Sequence, residues 1–239
     1  MSLEQAVHAI QERRPRSVVV MSGAGISADS GIPTFRGAGG LWREFRAEDL
    51  ATPEAFRRDP MLVWEWYEWR RGLIREAKPN AAHEALARLD DTVIVTQNVD
   101  GLHARAGAGD VVELHGNIFR VRCVREGTEQ MHEAAFDALP PRCECGALLR
   151  PGVVWFGESL PEEAVARAVG AIQSADLLLV IGTSGVVYPA AGFVALHRGL
   201  SIEINPETSG VSSACTFAVP ARAAEATPAI VDAILEARR

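Results

Sequence analysis

Five short β-branched runs set the architecture open to this chain. They are "SVVVM" at 17–21, "TVIVT" at 92–96, "VVEL" at 111–114, "LLLVI" at 177–181 and "SIEI" at 201–204, and each leads into a polar or glycine-bearing stretch rather than a hairpin dipeptide. Runs that are apolar on both faces and lack a hairpin turn read as strands of a buried parallel sheet. Helical patterns at 3–13, 80–89, 161–174 and 228–238 separate or flank them, so the expected class is α/β with a doubly wound parallel sheet. Two segments fall outside that pattern. Residues 43–78 carry Trp, Arg and Glu at helical spacing, and 119–152 hold three cysteines amid Pro and Gly. The expected division therefore places 1–42, 91–118 and 153–239 in the main domain. A helical module at 43–90 and a cysteine-containing, zinc-ribbon-like module at 119–152 form a second, smaller one.

The first strand runs directly into Gly23-Ala24-Gly25, with Ala28 completing the spacing G-x-G-x-x-A of a Rossmann-like dinucleotide turn. Backbone N–H groups from Gly23 to Ser27, at the start of a helix, suit a pyrophosphate. An ordinary βαβ unit would continue with a second strand and an acid about 20 residues on to hold a ribose. Here Pro33, Gly37, Gly39 and Gly40 follow instead. Ligands of open parallel sheets bind beyond the carboxyl ends of the strands, and this chain has polar clusters at each such place. These are "GAGIS", "QNVDGLH", "HGN", "GTSGVVYP" and "NPE". Asn205, just past a strand, is placed to bond a ribose in the missing acid's stead. His115, between a strand and a glycine at the crevice, is the candidate general base, although a lone His is more often structural.

Composition narrows the function. The 239 residues carry a net charge of −7, which argues against a nucleic-acid or anionic-membrane surface and favours a basic substrate. No run approaches the roughly 20 apolar residues of a membrane span, and the first residues, with Glu4, Glu12, Arg13 and Arg14, show no secretory signal. A cytoplasmic monomer is expected. Four cysteines, three of them clustered, do not make a disulfide framework; Cys215 is read as a small buried hydrophobe.

Six motifs, in order and across nearly the whole chain, resemble the sirtuins: "GAGISADSGIPTFRG" at 23–37, "TQNVDGLH" at 96–103, "ELHGN" at 113–117, "VVWFGE" at 153–158, "GTS" at 182–184 and "NPE" at 205–207. The resemblance implies an NAD-dependent protein-lysine deacylase acting on acylated lysine peptides, with acyl transfer to ADP-ribose and release of nicotinamide. It assigns the glycine-rich stretch to a lid over the nicotinamide ribose, with Phe35 and Arg36 on the nicotinamide side. The implied NAD set comprises Gly23, Ala24, Gly25, Ile26, Gln97, Asn98, Asp100, Gly182, Thr183, Ser184, Asn205, Pro206, Glu207 and Ala223. By the same resemblance His115 is expected to take a proton from a ribose hydroxyl, and Val154, Phe156 and Gly157 to face the substrate, whose extended chain would add to "VVWFGE" as an extra strand. Tyr67 and Arg70, three apart on one helical face, match the Tyr-x-x-Arg pair with which class III sirtuins hold a succinyl or malonyl carboxylate.

Zinc is where the pattern breaks. Of the family's four thiolates the chain has Cys123, Cys143 and Cys145, with Glu126 where another cysteine belongs; Glu126 or His132 would have to complete the set, and zinc is expected to bind weakly if at all. Two rival functions share the NAD cleft. These are a protein ADP-ribosyltransferase and a catalytically silent NAD sensor; His115, Asn98 and Asp100 together argue against the second.

Overall fold

The computed structural model describes residues 2–34 and 46–239. The chain opens with α1 (Leu3–Arg13), started by a Ser2/Gln5 capping box, and passes into β1 (Val18–Ser22) and a 3-10 turn (Ala24–Ser30). Three helices follow, α2 (Ala47–Leu50), α3 (Pro53–Arg58) and the long α4 (Pro60–Glu76). Thr52 and Asp59 cap the last two, each followed by a proline whose missing N–H costs nothing at a helix start. Next come α5 (Ala81–Leu86), β2 (Thr92–Thr96), α6 (Leu102–Arg105) and β3 (Asp110–Glu113). Strands β4 (Gly116–Cys123), β5 (Glu129–Met131) and β6 (Leu149–Val153) then form an antiparallel sheet of their own. The chain ends with α7 (Glu162–Ser174), β7 (Leu177–Ile181), α8 (Ala190–Phe193), β8 (Leu200–Ile204), β9 (Phe217–Val219) and α9 (Ala223–Ala237).

The main sheet is wholly parallel, in the order β3-β2-β1-β7-β8-β9, the doubly wound Rossmann arrangement. Alternation sorts its side chains into two cores. Val18, Val20, Ile94, Leu177, Leu179 and Ile202 pack with α1, α5 and α9, while Val19, Met21, Val95, Leu178 and Val180 pack with α7 and α8. A third core gathers residues of α4, β4 and β6 with Trp155 from the turn beyond, among them Trp64, Tyr67, Ile118, Val121, Cys123 and Leu149. The α/β class and the parallel sheet are as expected from the sequence.

Several boundaries differ. The final helix begins at Ala223 rather than 228 and carries Pro228 inside it, because burial of Ala223, Ala226 and Thr227 outweighs the local penalty of the proline. The helix expected over 80–89 ends at Leu86. The edge strand β9 and the cysteine-region sheet have no counterpart among the anticipated strands; β5 and β9 are three residues each and β5 is exposed throughout, which leaves little periodic signal there. Among the described residues no helix is long and apolar enough to cross a membrane.

Candidate active site

The sheet's topological switch lies between β1 and β7, whose outgoing connections wind in opposite directions, and their ends deliver Gly23 and Gly182 to the same crevice. The two glycine turns interlock. A Cβ on Gly25 would stand 2.7 Å from the Gly182 backbone, and one on Gly182, at φ 61°, only 2.3 Å from Ile26 N. Donors expected to face a ligand are already spent: Gly23 N–H on Ile181 O and Gly25 N–H on Gly182 O across the contact, and Ile26 N–H on Gly23 O within its own turn. The pyrophosphate reading of the whole 23–27 backbone therefore needs correction, and the segment is a 3-10 turn rather than the start of an α-helix. Above the turns opens a cavity of about 900 Å³, within the range of cofactor sites.

Most of the anticipated cofactor residues line this one space. Gly23, Ala24, Gly25, Gln97, Asn98, Gly182, Thr183, Ser184, Asn205, Pro206, Glu207 and Ala223 all border it. Ile26 instead sits in the core beneath, fully buried. Phe35 and Arg36 lie outside the described residues. Asn205 donates its amide to Thr183 O at 2.8 Å, and Gln97 bonds Thr183 Oγ1, so these side chains also brace the β7 turn. Asp100 borders a smaller adjoining hollow with Ser27, Asn98 and Arg70. Burial raises its carboxyl above the usual range, opposed by hydrogen bonds from Leu102 N–H and Ser27 Oγ. Ser27 also takes a bond from Asn98, which makes it the hub of this corner. From the sequence, Ser27 is expected only as a backbone donor.

His115 borders the cavity at the end of β3. Its Nδ1 lies 2.8 Å from Gln97 O, and because a carbonyl can only accept, Nδ1 carries the proton and Nε2 keeps its lone pair. Burial lowers its pKa below the ordinary histidine value, with the Gln97 bond acting in the opposite sense. His115 O in turn accepts from Val154 N–H, tying the histidine to the "VVWFGE" segment. Of the other histidines, His83, His103 and His197 are buried.

Tyr67 and Arg70 both project from α4 into the cavity and both are buried, at 3 and 7% exposure. The Arg70 guanidinium lies over the Trp66 ring at 5.4 Å, and burial lowers its pKa while Tyr67 and Asp100 raise it. Tyr67 Oη accepts from Trp155 Nε1 at 2.9 Å. Val154, Phe156 and Gly157 also line the space, with Phe156 exposed. The segment does not continue as a strand. After β6 ends at Val153 it turns, and Trp155, Phe156 and Glu158 spend their N–H groups on Glu158, Ala51 and Trp155.

A second cluster lies in the β4–β6 module. Ligand atoms of Cys123, Glu126, Cys143 and Cys145 are within 4.8 Å of one another, and tetrahedral zinc asks for about 3.3–3.8 Å between ligands, a small inward adjustment. The set rests on two tight turns. Gly127 (φ 70°) bonds back to Cys123 O, and Gly146 (φ 82°) to Cys143 O. Glu126 N–H points at Cys123 Sγ at 3.4 Å and lowers that thiol's pKa. His132, the other candidate, stacks on Phe136 at 4.1 Å and does not join the group. Cys215 is half-buried rather than buried, with its thiol pushed up to about 12 by burial and the nearby Glu203.

Comparison with known proteins places these features among relatives. The pattern of the Sir2 family matches residues 23–189. An NAD-dependent protein deacylase of Aquifex aeolicus is 55% identical over 82% of this chain and 86% of its own length. NAD-dependent protein deacylase 2 of Pyrobaculum aerophilum is 51% identical over 92 and 91%. Among solved structures, a Sir2 homolog–NAD complex superposes with a TM-score of 0.91 at 42% identity, covering 99% of this chain and 95% of that one. A Sir2–p53 peptide–NAD+ complex does so with a TM-score of 0.85 at 31% identity, covering 97 and 98%.

Proposed function

The chain belongs to the Sir2 family, and from that premise we propose that it is an NAD-dependent protein-lysine deacylase that accepts both acetyl and carboxylate-tipped acyl groups, succinyl and malonyl. One observation carries the reading of the acyl group: Tyr67 and Arg70, buried on one face of α4, border the same cavity as His115. A guanidinium and a phenol in a desolvated pocket match an acceptor-only carboxylate, and each charged hydrogen bond contributes about 1.5–3 kcal/mol. The net charge of −7 suits basic, lysine-bearing peptides.

NAD, when bound, supplies the ribose carbon from which nicotinamide departs and the hydroxyl through which the acyl group passes. The chain's own residues do the rest. The interlocked turns at Gly25 and Gly182 form a floor without side chains on which a cofactor can lie closely. Asn98, Asp100 and Ser27 hold one another and fix the corner assigned to the nicotinamide amide and ribose. His115, with Nδ1–H anchored on Gln97 O, accepts a proton at Nε2. Zinc, if bound by Cys123, Glu126, Cys143 and Cys145, ties β4 to the loop before β6 and takes no part in the chemistry.

The test is mass spectrometry of matched acetyl and succinyl peptides incubated with the protein and NAD, followed by kcat/KM for wild type, Arg70→Met and Tyr67→Phe. The succinyl-to-acetyl ratio of kcat/KM is expected to fall about tenfold or more in each variant. Parallel losses on both substrates would make the pair structural, and no nicotinamide release at all would sink the enzymatic reading.

A further inference from the structure

Trp155 joins the peptide-side turn to the acyl end of the cavity, and every bond that holds it has a defined direction. Its main-chain N–H donates to Glu158 Oε2 at 2.8 Å. Arg150 bonds both Glu158 oxygens, at 2.6 and 2.8 Å, while its guanidinium carbon lies 3.6 Å from the centroid of the Trp155 rings. The far edge of the indole then donates Nε1–H to Tyr67 Oη at 2.9 Å. An indole has one donor and no acceptor, so that bond runs only one way.

The consequence falls on the phenol. Tyr67 Oη has one proton, and with Trp155 occupying a lone pair that proton turns away from Trp155; among the described residues nothing accepts it. Tyr67 borders the cavity. Burial holds its hydroxyl protonated well above the ordinary tyrosine range. We propose that Trp155 is a specificity-determining positioning residue. By donating to Tyr67 Oη it commits the phenol to act as a donor into the cavity, which favours a carboxylate-tipped acyl group over an apolar one. Arg150 and Glu158 keep the indole in register, and the cation over the ring polarises the indole N–H, strengthening the chain of bonds as neighbouring dipoles do. The proposal rests on the reading of Tyr67 and Arg70 as the carboxylate's partners. Without the indole donor the phenol is free to present a lone pair, which repels a carboxylate and is indifferent to a methyl group.

The experiment compares kcat and KM on matched acetyl and succinyl peptides for Trp155→Phe, Tyr67→Phe and the double variant. Trp155→Phe keeps an aromatic ring against Phe56 and Arg150 but removes the donor. Its succinyl-to-acetyl ratio is expected to fall about three- to tenfold, and the same replacement in the Tyr67→Phe background to move the ratio no further. A parallel loss on both peptides, or an equal change of ratio with Tyr67 already removed, overturns the proposal. Should Trp155→Phe fold poorly, 3-benzothienylalanine at position 155 replaces the N–H by sulfur at nearly constant shape, and the same outcomes decide. If Tyr67→Phe and Arg70→Met leave the ratio untouched, the underlying reading of the acyl pocket fails. If they shift it and Trp155→Phe does not, only the role of Trp155 fails.

Discussion

His115 shows how one hydrogen bond turns a common residue into a candidate catalyst. The carbonyl of Gln97 fixes its tautomer, and burial keeps the ring neutral to lower pH than an ordinary histidine. Two outcomes follow at this scale. His115→Ala is expected to reduce turnover by about 10²–10⁴-fold while calorimetry finds NAD affinity little changed; more than half the wild-type turnover would remove His115 from the mechanism. The acid limb of kcat/KM for the wild type is expected below about 6.5, since a base with a lowered pKa stays unprotonated as the pH falls. An acid limb above that value would assign the titration to another group. His115 was legible in the sequence because it sits between a strand and a glycine. Ser27 and Trp155 were not, because their importance lies in partners 73 and 88 residues away.

At the scale of elements, the crossing of the two glycine turns governs the site. Gly182→Ala would place a methyl group against Ile26 N and the Gly25 backbone in a left-handed conformation, with no flexible side chain to give way. A loss of about 2–5 kcal/mol is expected, seen as a lowered Tm together with lost NAD binding. Gly170, exposed within α7 with nothing within 4 Å of an added Cβ, is the control. Gly170→Ala should stabilise by about 0.5–1 kcal/mol. Equal effects at the two positions would mean that the interlock carries no special strain. The G-x-G-x-x-A spacing was plain in the sequence, yet it signalled donors for a phosphate, whereas Gly23 and Gly25 spend their N–H groups on the end of β7 and Ile26 spends its own within the turn.

The whole molecule has its own titration. His83 and His103 are buried with rings 4.9 Å apart, and burial pushes them down to about 4 and about 3, the neighbouring His83 adding to the effect on His103. In the unfolded chain each takes its proton near 6.5, so the stability present above that pH is lost as pH falls towards the folded values, at up to about 1.4 kcal/mol per pH unit per histidine. Urea titrations between pH 4 and about 6.5 should show this slope, and His103→Gln, which can still bond Ser22, should flatten it. An unchanged slope would place the acid sensitivity elsewhere. The β4–β6 module is stabilised separately: Glu126→Cys is expected to raise zinc retained after chelator dialysis, measured by atomic absorption, with a higher Tm. If the variant keeps no more zinc than wild type, Glu126 does not limit the site.

Sequence alone determined the parallel sheet, because strands buried on both faces are largely apolar along their length, and Val18–Val20, Ile94 and Leu177–Ile181 announce this without any partner being known. It also marked the polar strand ends, since few residues besides glycine and small amides suit those turns. Only the tertiary structure decided what each group is spent on. Whether a glycine N–H faces a cavity or Gly182 O, whether the tyrosine at 67 donates or accepts, and whether Glu126 or His132 approaches three thiols are set by segments far apart in sequence. A hydrogen bond joins two atoms in space, and periodicity along the chain records only one of them.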